Sequence, residues 1–401
     1  MTLVQKLRGT PVETVLVDRH NHHLFEPLLY QVATAALSPA EIAQPIRAMT
    51  RGFKGMTVLL DEAVGLDVPG CSVLLRNGGA IDYDMLVLAT GVEYNYFGHP
   101  GWAQRAPALK SLHDALEVRR RLLLAFEQAE MIKDPVQRRK LLTFVLVGGG
   151  PTGVELAGSM AELARFTLRR DFRNIDPASA RVILVEAGPR LLNGFGEHLS
   201  EYALRSLQRM NVEVRLSTKI DRVDDGGVEM KDGRIDAALV VWCAGVTGTP
   251  AAAWLGVKLT RQGLVPVGPD LAVPGHPEIF VVGDLAVVTG PDGQPLPLPQ
   301  VAPVAKQEAA FVAKVIAARV ARRTPPPAFA YRDRGSLAII GRSAAVVDLG
   351  WLRLDGFAGW LFWGIAHLFF LIGFRNRITV FVTWMWEWLT YGRGARLIVD
   401  P

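Results

Sequence analysis

Apolar positions along the chain gather into short continuous runs that stop at a glycine or an acid. They are Pro11–Asp18, Asp84–Gly91, Leu141–Gly148, Arg181–Glu186, Ala238–Gly245 and Glu278–Asp284. Unbroken runs rich in valine, isoleucine and leucine predict strands covered on both faces, as in a parallel sheet. Between them lie stretches of helical period, over 110–133, in the alanine-rich segment after Gly153, and over 302–323. Strands alternating with helices predict an α/β fold. Residues 1–9 read as the tail of a helix stopped by Gly9. Ser38-Pro-Ala-Glu41 predicts a capping box opening a helix that carries Ile42, Ile46 and Met49. Further strands are expected around 56–60, 71–75 and 211–216, with a turn at Asn77-Gly78-Gly79 and a hairpin of 223–228 with 230–235. Asp134-Pro135, the proline-rich stretch Gly290–Pro299 and Thr324-Pro-Pro-Pro327 read as a helix break, a loop and a linker.

After the linker the pattern changes. Phe357–Phe374 is 18 residues without a charge, and His367 is its one titratable group. Arg375 and Arg377 follow, then Ile378–Tyr391 with Trp384, Trp386, Trp388 and a single acid, Glu387. Eighteen residues is the bottom of the range that crosses a bilayer. The density of tryptophan and the flanking arginines favour helices lying at the headgroup boundary over a span or an ordinary buried helix.

The run from Leu141 carries the most specific chemistry. It ends in Gly148-x-Gly150-x-x-Gly153, and a helix is expected to follow. In that order Gly148 permits a tight turn, Gly150 lets backbone approach a pyrophosphate, and Gly153 lets the helix pack on the strand. The pyrophosphate would sit at the positive end of the helix. Glu186 closes the next run, where a carboxylate can accept both ribose hydroxyls. It would repel a 2′-phosphate, so NADH is expected rather than NADPH. Asp18 closes the first run in the same manner. The runs ending at Gly91 and Gly245 also match, so two related nucleotide-binding folds are expected. Asp284, after Gly283, is placed for a ligand at a sheet crevice.

Composition narrows the picture. With 401 residues, half of them hydrophobic, the chain can hold two or three domains. The mean hydropathy of +0.21 hints at a membrane-facing part. Net charge is +5, but Arg119-Arg120-Arg121, Arg138-Arg139-Lys140 and Arg169-Arg170 read as solvated helix faces. No aromatic-interleaved motif points to nucleic acid; anionic lipid is the better partner for a basic surface. The two cysteines, Cys71 and Cys243, form no CxxC, so dithiol chemistry is excluded and both are expected in the core. His20, His22 and His23 lack further ligands at metal spacing, and no metal is expected. The N-terminus has no apolar signal region, which implies a cytoplasmic address.

Several longer motifs carry a family resemblance: Asn21-His-His-Leu-Phe-Glu-Pro-Leu-Leu-Tyr-Gln-Val-Ala-Thr34, Ala89-Thr-Gly91, Gly148–Gly158, Phe280–Asp284 and Gly335–Arg342. Over nearly its whole length the chain resembles type II NADH dehydrogenases, the non-pumping, FAD-containing NADH:quinone oxidoreductases. The resemblance implies two Rossmann-like, glutathione-reductase-like domains and a C-terminal helical, membrane-associated segment. FAD would be held by residues 1–140 and 266–325 and NADH by 141–265, with 326–401 as the anchor. It implies Asp18 on the FAD adenosine ribose, Pro27 and Leu28 near the isoalloxazine, Thr90 and Gly91 at the cofactor's edge, and Gly283 with Asp284 on its ribityl-pyrophosphate portion. Gly148, Gly150, Gly153 and Glu186 would hold NADH. Glu155 would lie near nicotinamide and flavin, although an acid there also complements the helix dipole. Gln307 matches the quinone-site glutamine. Pro303 departs from the pattern, and Lys306 reads as a surface residue.

The implied partners are a membrane quinone, lipid at the cytoplasmic face of the plasma membrane, and a second chain in a homodimer. The family's first strand and FAD glycine loop have no counterpart before Asp18. The expectation is a sequence that starts late and binds FAD poorly. The alternatives are a non-catalytic NADH-binding relative attached to the membrane and a soluble ferredoxin-reductase-type flavoenzyme.

Overall fold

Three of the apolar runs and the strand expected at 211–216, with the helices between them, account for one parallel sheet in the computed structural model, which describes residues 1–290 and 293–399. Thr143–Val147 is buried at every position and Leu239–Trp242 likewise. The strands pair in the order 212–215, 181–185, 143–147, 239–242, all parallel. Parallel neighbours need crossovers, and the helices Pro151–Glu162 and Glu197–Arg209 supply them. The return to 239–242 runs through a meander of Ile220–Asp224, Gly227–Met230 and Gly233–Asp236. The expected two-stranded hairpin is therefore three strands, because the chain reverses tightly twice, at Asp225-Gly226 and at Lys231-Asp232.

This sheet belongs to a unit made of Leu24–Ala43, Tyr94–Gly245 and Gly335–Pro401. In it the helix Pro151–Glu162 touches backbone on two sides. A Cβ on Gly153 would lie 1.9 Å from the Gly148 carbonyl oxygen, and one on Gly158 would lie 1.6 Å from that of Ile340. Only glycine permits either approach. Ile340 belongs to an antiparallel sheet of Ser336–Gly341, Ala344–Asp348 and Arg353–Asp355, on which the helix Gly356–Phe370 packs. The long helix expected over 110–133 spans Leu112–Met131, and Ser111 and Asp114 form its capping box. Arg119 does not face solvent as expected. It is 5 % exposed and donates from Nη1 to the Ala395 carbonyl.

The second unit comprises Met1–His23, Gln44–Glu93 and Val246–Arg334. Thr14–Asp18 pairs in parallel with Met56–Leu60, and His276–Val281 with Leu86–Leu88. The helix Ala302–Val320 packs on a core that includes Leu88, Ile279, Phe280, Val312 and Ile316. Of the proline-rich loop, Pro291 and Asp292 lie outside the described residues.

Two expected helices end early. Glu41 accepts from the Ser38 amide at 2.6 Å, but the helix stops at Ile42 and a second turn starts at Ile46. Pro45 forces the residue before it into extended conformation, so Ala43–Pro45 is strand. In the apolar C-terminal run, Gly356–Phe370 is 15 residues, about 22 Å. Gly373, at φ +87°, turns the chain into Phe374–Thr390. Among the described residues no helix is long and apolar enough to cross a membrane.

The close approach at Gly158 yields a direct expectation. Gly158→Ala should lower unfolding stability by about 3 kcal/mol, since neither the helix nor the strand can retreat alone. At Gly194 a Cβ meets nothing within 4 Å, so Gly194→Ala is the control, expected within about 0.5 kcal/mol of wild type. Urea unfolding midpoints compare the three proteins.

Candidate active site

The glycine loop is built by contacts its sequence only implies. Gly148 sits at φ +113°, where a Cβ would lie 2.8 Å from the Cys243 backbone. Around Gly150 a Cβ would meet nothing within 4 Å, so the backbone there is open to a ligand. Glu186 is brought to the same loop. Its Oε2 accepts from the Gly149 amide and its Oε1 from the Gly188 amide, each at 2.5 Å. The carboxylate is thereby fixed at the strand's end before anything binds.

Glu155 lies one turn into the helix. Burial pushes its carboxyl up to about 8, against one long contact from the Ile339 amide at 3.4 Å. The same helix face then carries Ser159 and Glu162, at the four- and seven-residue spacing that superimposes side chains on a helix. Ser159 Oγ is 2.7 Å from Thr34 Oγ1. Arg393, 7 % exposed, donates to the carbonyls of Thr34 and Ser159 at 2.9 and 3.1 Å and reaches Glu162 at 3.4 Å. Burial raises the Glu162 carboxyl as well, with Arg393 opposing it. Glu387 completes the group. Its Oε1 is buried without a partner, and desolvation pushes its carboxyl up to about 8. The sequence reading did not single out this seam; the signal was the polar spacing 155, 159, 162 in an otherwise alanine-rich helix.

Among the remaining expected residues, Pro27 and Leu28 form a short turn with Glu26, which pairs with Lys110 at 3.0 Å. Leu28 is fully buried in the core, so Pro27 and the backbone are the parts open to a ligand. In the other unit, Thr90-Gly91 and Gly283-Asp284 leave neighbouring strands at the same end, because Leu88 pairs with Val281 and its carbonyl accepts from Val282. Thr90 Oγ1 lies 2.8 Å from Thr249 Oγ1. Gly91 and Gly283 are both left-handed, at φ +66° and +78°. Asp18 ends its strand and accepts from the His20 amide at 2.8 Å. Gln307 uses both ends of its amide on Arg332, whose carbonyl accepts at 2.9 Å and whose amide donates at 3.0 Å. Lys306 is exposed. Of the two cysteines expected in the core, Cys243 packs against it and Cys71 does not. Both are free and half-buried, Cys71 in a turn at φ +49° and Cys243 beneath the glycine loop. Among the described residues no histidine, cysteine or acid cluster has metal geometry.

A glycine loop closed by a strand-end acid, together with a second unit whose strand-end acid follows a left-handed glycine, defines a dinucleotide-dependent oxidoreductase fold. The family model of pyridine nucleotide-disulphide oxidoreductases matches residues 1–309, and that of the NDH2 C-terminal domain matches residues 334–394. The type II NADH:quinone oxidoreductase Ndh of Mycobacterium tuberculosis is 43 % identical over 414 residues, covering 100 % of this chain and 88 % of that protein. A second oxidoreductase of that organism, NdhA, is 40 % identical over 416 residues, covering 100 % and 87 %. The fold is similar to that of Plasmodium falciparum NDH2 solved in complex with NADH, with TM-score 0.88 at 20 % identity, covering 98 % of this chain and 96 % of that one. The chain belongs to the type II NADH:quinone oxidoreductase family.

The raised carboxyls set a pH dependence. A folded-state value near 8 for Glu155, above the ordinary 4.5, means the folded state holds the proton more tightly. Its stabilising effect is complete below the ordinary value and is lost as pH rises toward 8. Glu155→Gln removes that titration. From pH 5 to 8 the urea midpoint should fall less for the variant than for wild type; equal falls would refute the assignment.

Proposed function

We infer that the chain is an FAD-dependent oxidoreductase that passes electrons from NADH to a membrane quinone without pumping protons. The observation that carries the reading is the complete glycine loop, with Glu186 locked over it, in a chain of this family. The residues fit a dinucleotide. Gly150 leaves open space, Gly148 and Gly153 allow the loop to close, and the helix start presents free amides to a pyrophosphate. Glu186 accepts from the ribose hydroxyls and disfavours a 2′-phosphate, so NADH is the substrate.

FAD, when bound, supplies the two-electron chemistry between NADH and quinone. In this reading residues 1–140 and 266–325 hold FAD, 141–265 hold NADH, and 326–401 attach the protein to lipid. Asp18 accepts from the adenosine ribose. Asp284, presented by Gly283, faces the ribityl-pyrophosphate portion, and Thr90-Gly91 and Pro27-Leu28 border the ring system. Glu155 carries a proton at neutral pH, and with nicotinamide and flavin bound nearby it would hold one of the protons that quinone reduction consumes. Gln307, anchored to Arg332, lies at the quinone end. Disulphide chemistry has no place here, because neither cysteine has a partner in a CxxC.

The C-terminal helices are the lipid contact. Phe357, Leu361, Ile365 and Phe369, 49–68 % exposed, form one stripe at helical spacing. Phe374, Ile378, Phe381, Val382, Met385, Trp386 and Leu389 continue it on the next helix at 42–77 % exposure. Such a surface seeks an apolar partner. Helices too short to cross suit insertion to the headgroup boundary, at the cytoplasmic face where NADH is supplied. A second chain competing for part of the same face gives a homodimer.

Two measurements test this. Protein supplied with FAD should show flavin absorbance that NADH bleaches and a soluble quinone restores; a chain that binds NADH but bleaches no flavin even with FAD supplied would favour the non-catalytic alternative. Phe369→Asp with Trp386→Asp should release the protein from vesicles at least tenfold while leaving NADH oxidation by the soluble quinone within about twofold. Undiminished vesicle binding by the double variant sinks the anchor.

A further inference from the structure

We propose that Glu308 is a positioning residue that holds the Gly283-Asp284 turn in the shape that receives the cofactor. This rests on the reading that Asp284 faces FAD.

Glu308 lies on the helix Ala302–Val320 and is 1 % exposed. A carboxyl is almost never buried to this degree without a specific partner. Its partner is the amide of Gly283, which donates to Oε2 at 2.5 Å. Gly283 is left-handed, at φ +78°, and a Cβ there would lie 3.5 Å from that of Ala305, one turn before Glu308 on the same helix. The turn thus rests on the helix, and the helix reaches up to take its amide. On the other side of the turn the Asp284 carbonyl accepts from Gln300 Nε2 at 3.0 Å. Asp284 is therefore gripped through its backbone both before and after, which leaves its direction decided by two side chains. A backbone amide away from water needs an acceptor, and at Gly283 that acceptor is a side chain.

The neighbouring residue supports this division of labour. Gln307 and Glu308 point about 100° apart around the helix. Gln307 pins Arg332, and Glu308 pins Gly283. One helical turn thus fixes two separate segments. Burial, with the charge of Asp284 adding to it, pushes the Glu308 carboxyl up to about 7. A full charge is disfavoured at this place, and the acceptor oxygen is what the site uses. A neutral side chain of equal reach with an oxygen at its end should therefore serve as well.

The test compares E308M, which keeps length and removes the acceptor, with E308Q, which restores it, and with D284A. FAD affinity is read by flavin fluorescence, and amide hydrogen exchange is read over 280–286 in the cofactor-free protein. E308M should raise exchange over 280–286 and weaken FAD binding at least roughly tenfold, the scale of one buried hydrogen bond. E308Q should stay within about threefold of wild type. Unchanged exchange in E308M overturns the proposal. So does raised exchange with unchanged affinity, or an E308Q as weak as E308M, provided D284A loses FAD. If D284A binds FAD as wild type does, or wild type does not bind it, the reading of Asp284 fails and the proposal falls with it.

Discussion

The structure of the larger unit depends on how closely one helix approaches backbone. Pro151–Glu162 lies against the Gly148 carbonyl on one side and the Ile340 carbonyl on another, at distances that a single methyl group would forbid. Gly153 and Gly158 are about 1.4 turns apart, so the helix is clamped at two points along its length. The first contact aims the helix start at the end of the parallel sheet, where its free amides and Glu186 face the same space. The second ties the helix to the antiparallel sheet that carries the C-terminal helices. Removing either glycine would disturb both at once.

The same clamp explains the buried polar seam. A helix held this tightly has little room for solvent along its inner face, yet that face presents Glu155, Ser159 and Glu162. Carboxyls in such a place must be paired or protonated. Arg393 pairs with Glu162, two carbonyls complete its hydrogen bonds, and Glu155 and Glu387 are left to hold protons. The seam stabilises the fold most below neutral pH, and the expected loss of stability toward pH 8 follows from the direction of those shifts.

Much of this was legible in the chain. The six apolar runs became strands, with the glycine loop and its acid where spacing placed them, and the shared end of Thr90-Gly91 and Gly283-Asp284 follows from their parallel strands. What was not legible had local or distant causes. Pro45 broke a helix that the apolar period alone would continue. Two tight turns in place of one made a meander. Arg119, read as solvated because its neighbours are basic, is covered by residues from the far end of the chain. The partner of Glu308 is a backbone amide 25 positions away, which no pattern of side chains announces.

By itself the sequence determined the class of fold, the nucleotide loop with its strand-end acid and the apolar helices at the C-terminus. Each is carried by residues close in the chain, where period, glycine position and strand-end charge act locally. The tertiary structure alone decided which carboxyls are enclosed. It decided too that the apolar terminal run bends at Gly373 into two short helices with an outward face, and that Gln307 and Glu308 anchor separate segments. Those outcomes depend on what packs against each group, and burial is a property of the folded surroundings rather than of the residue.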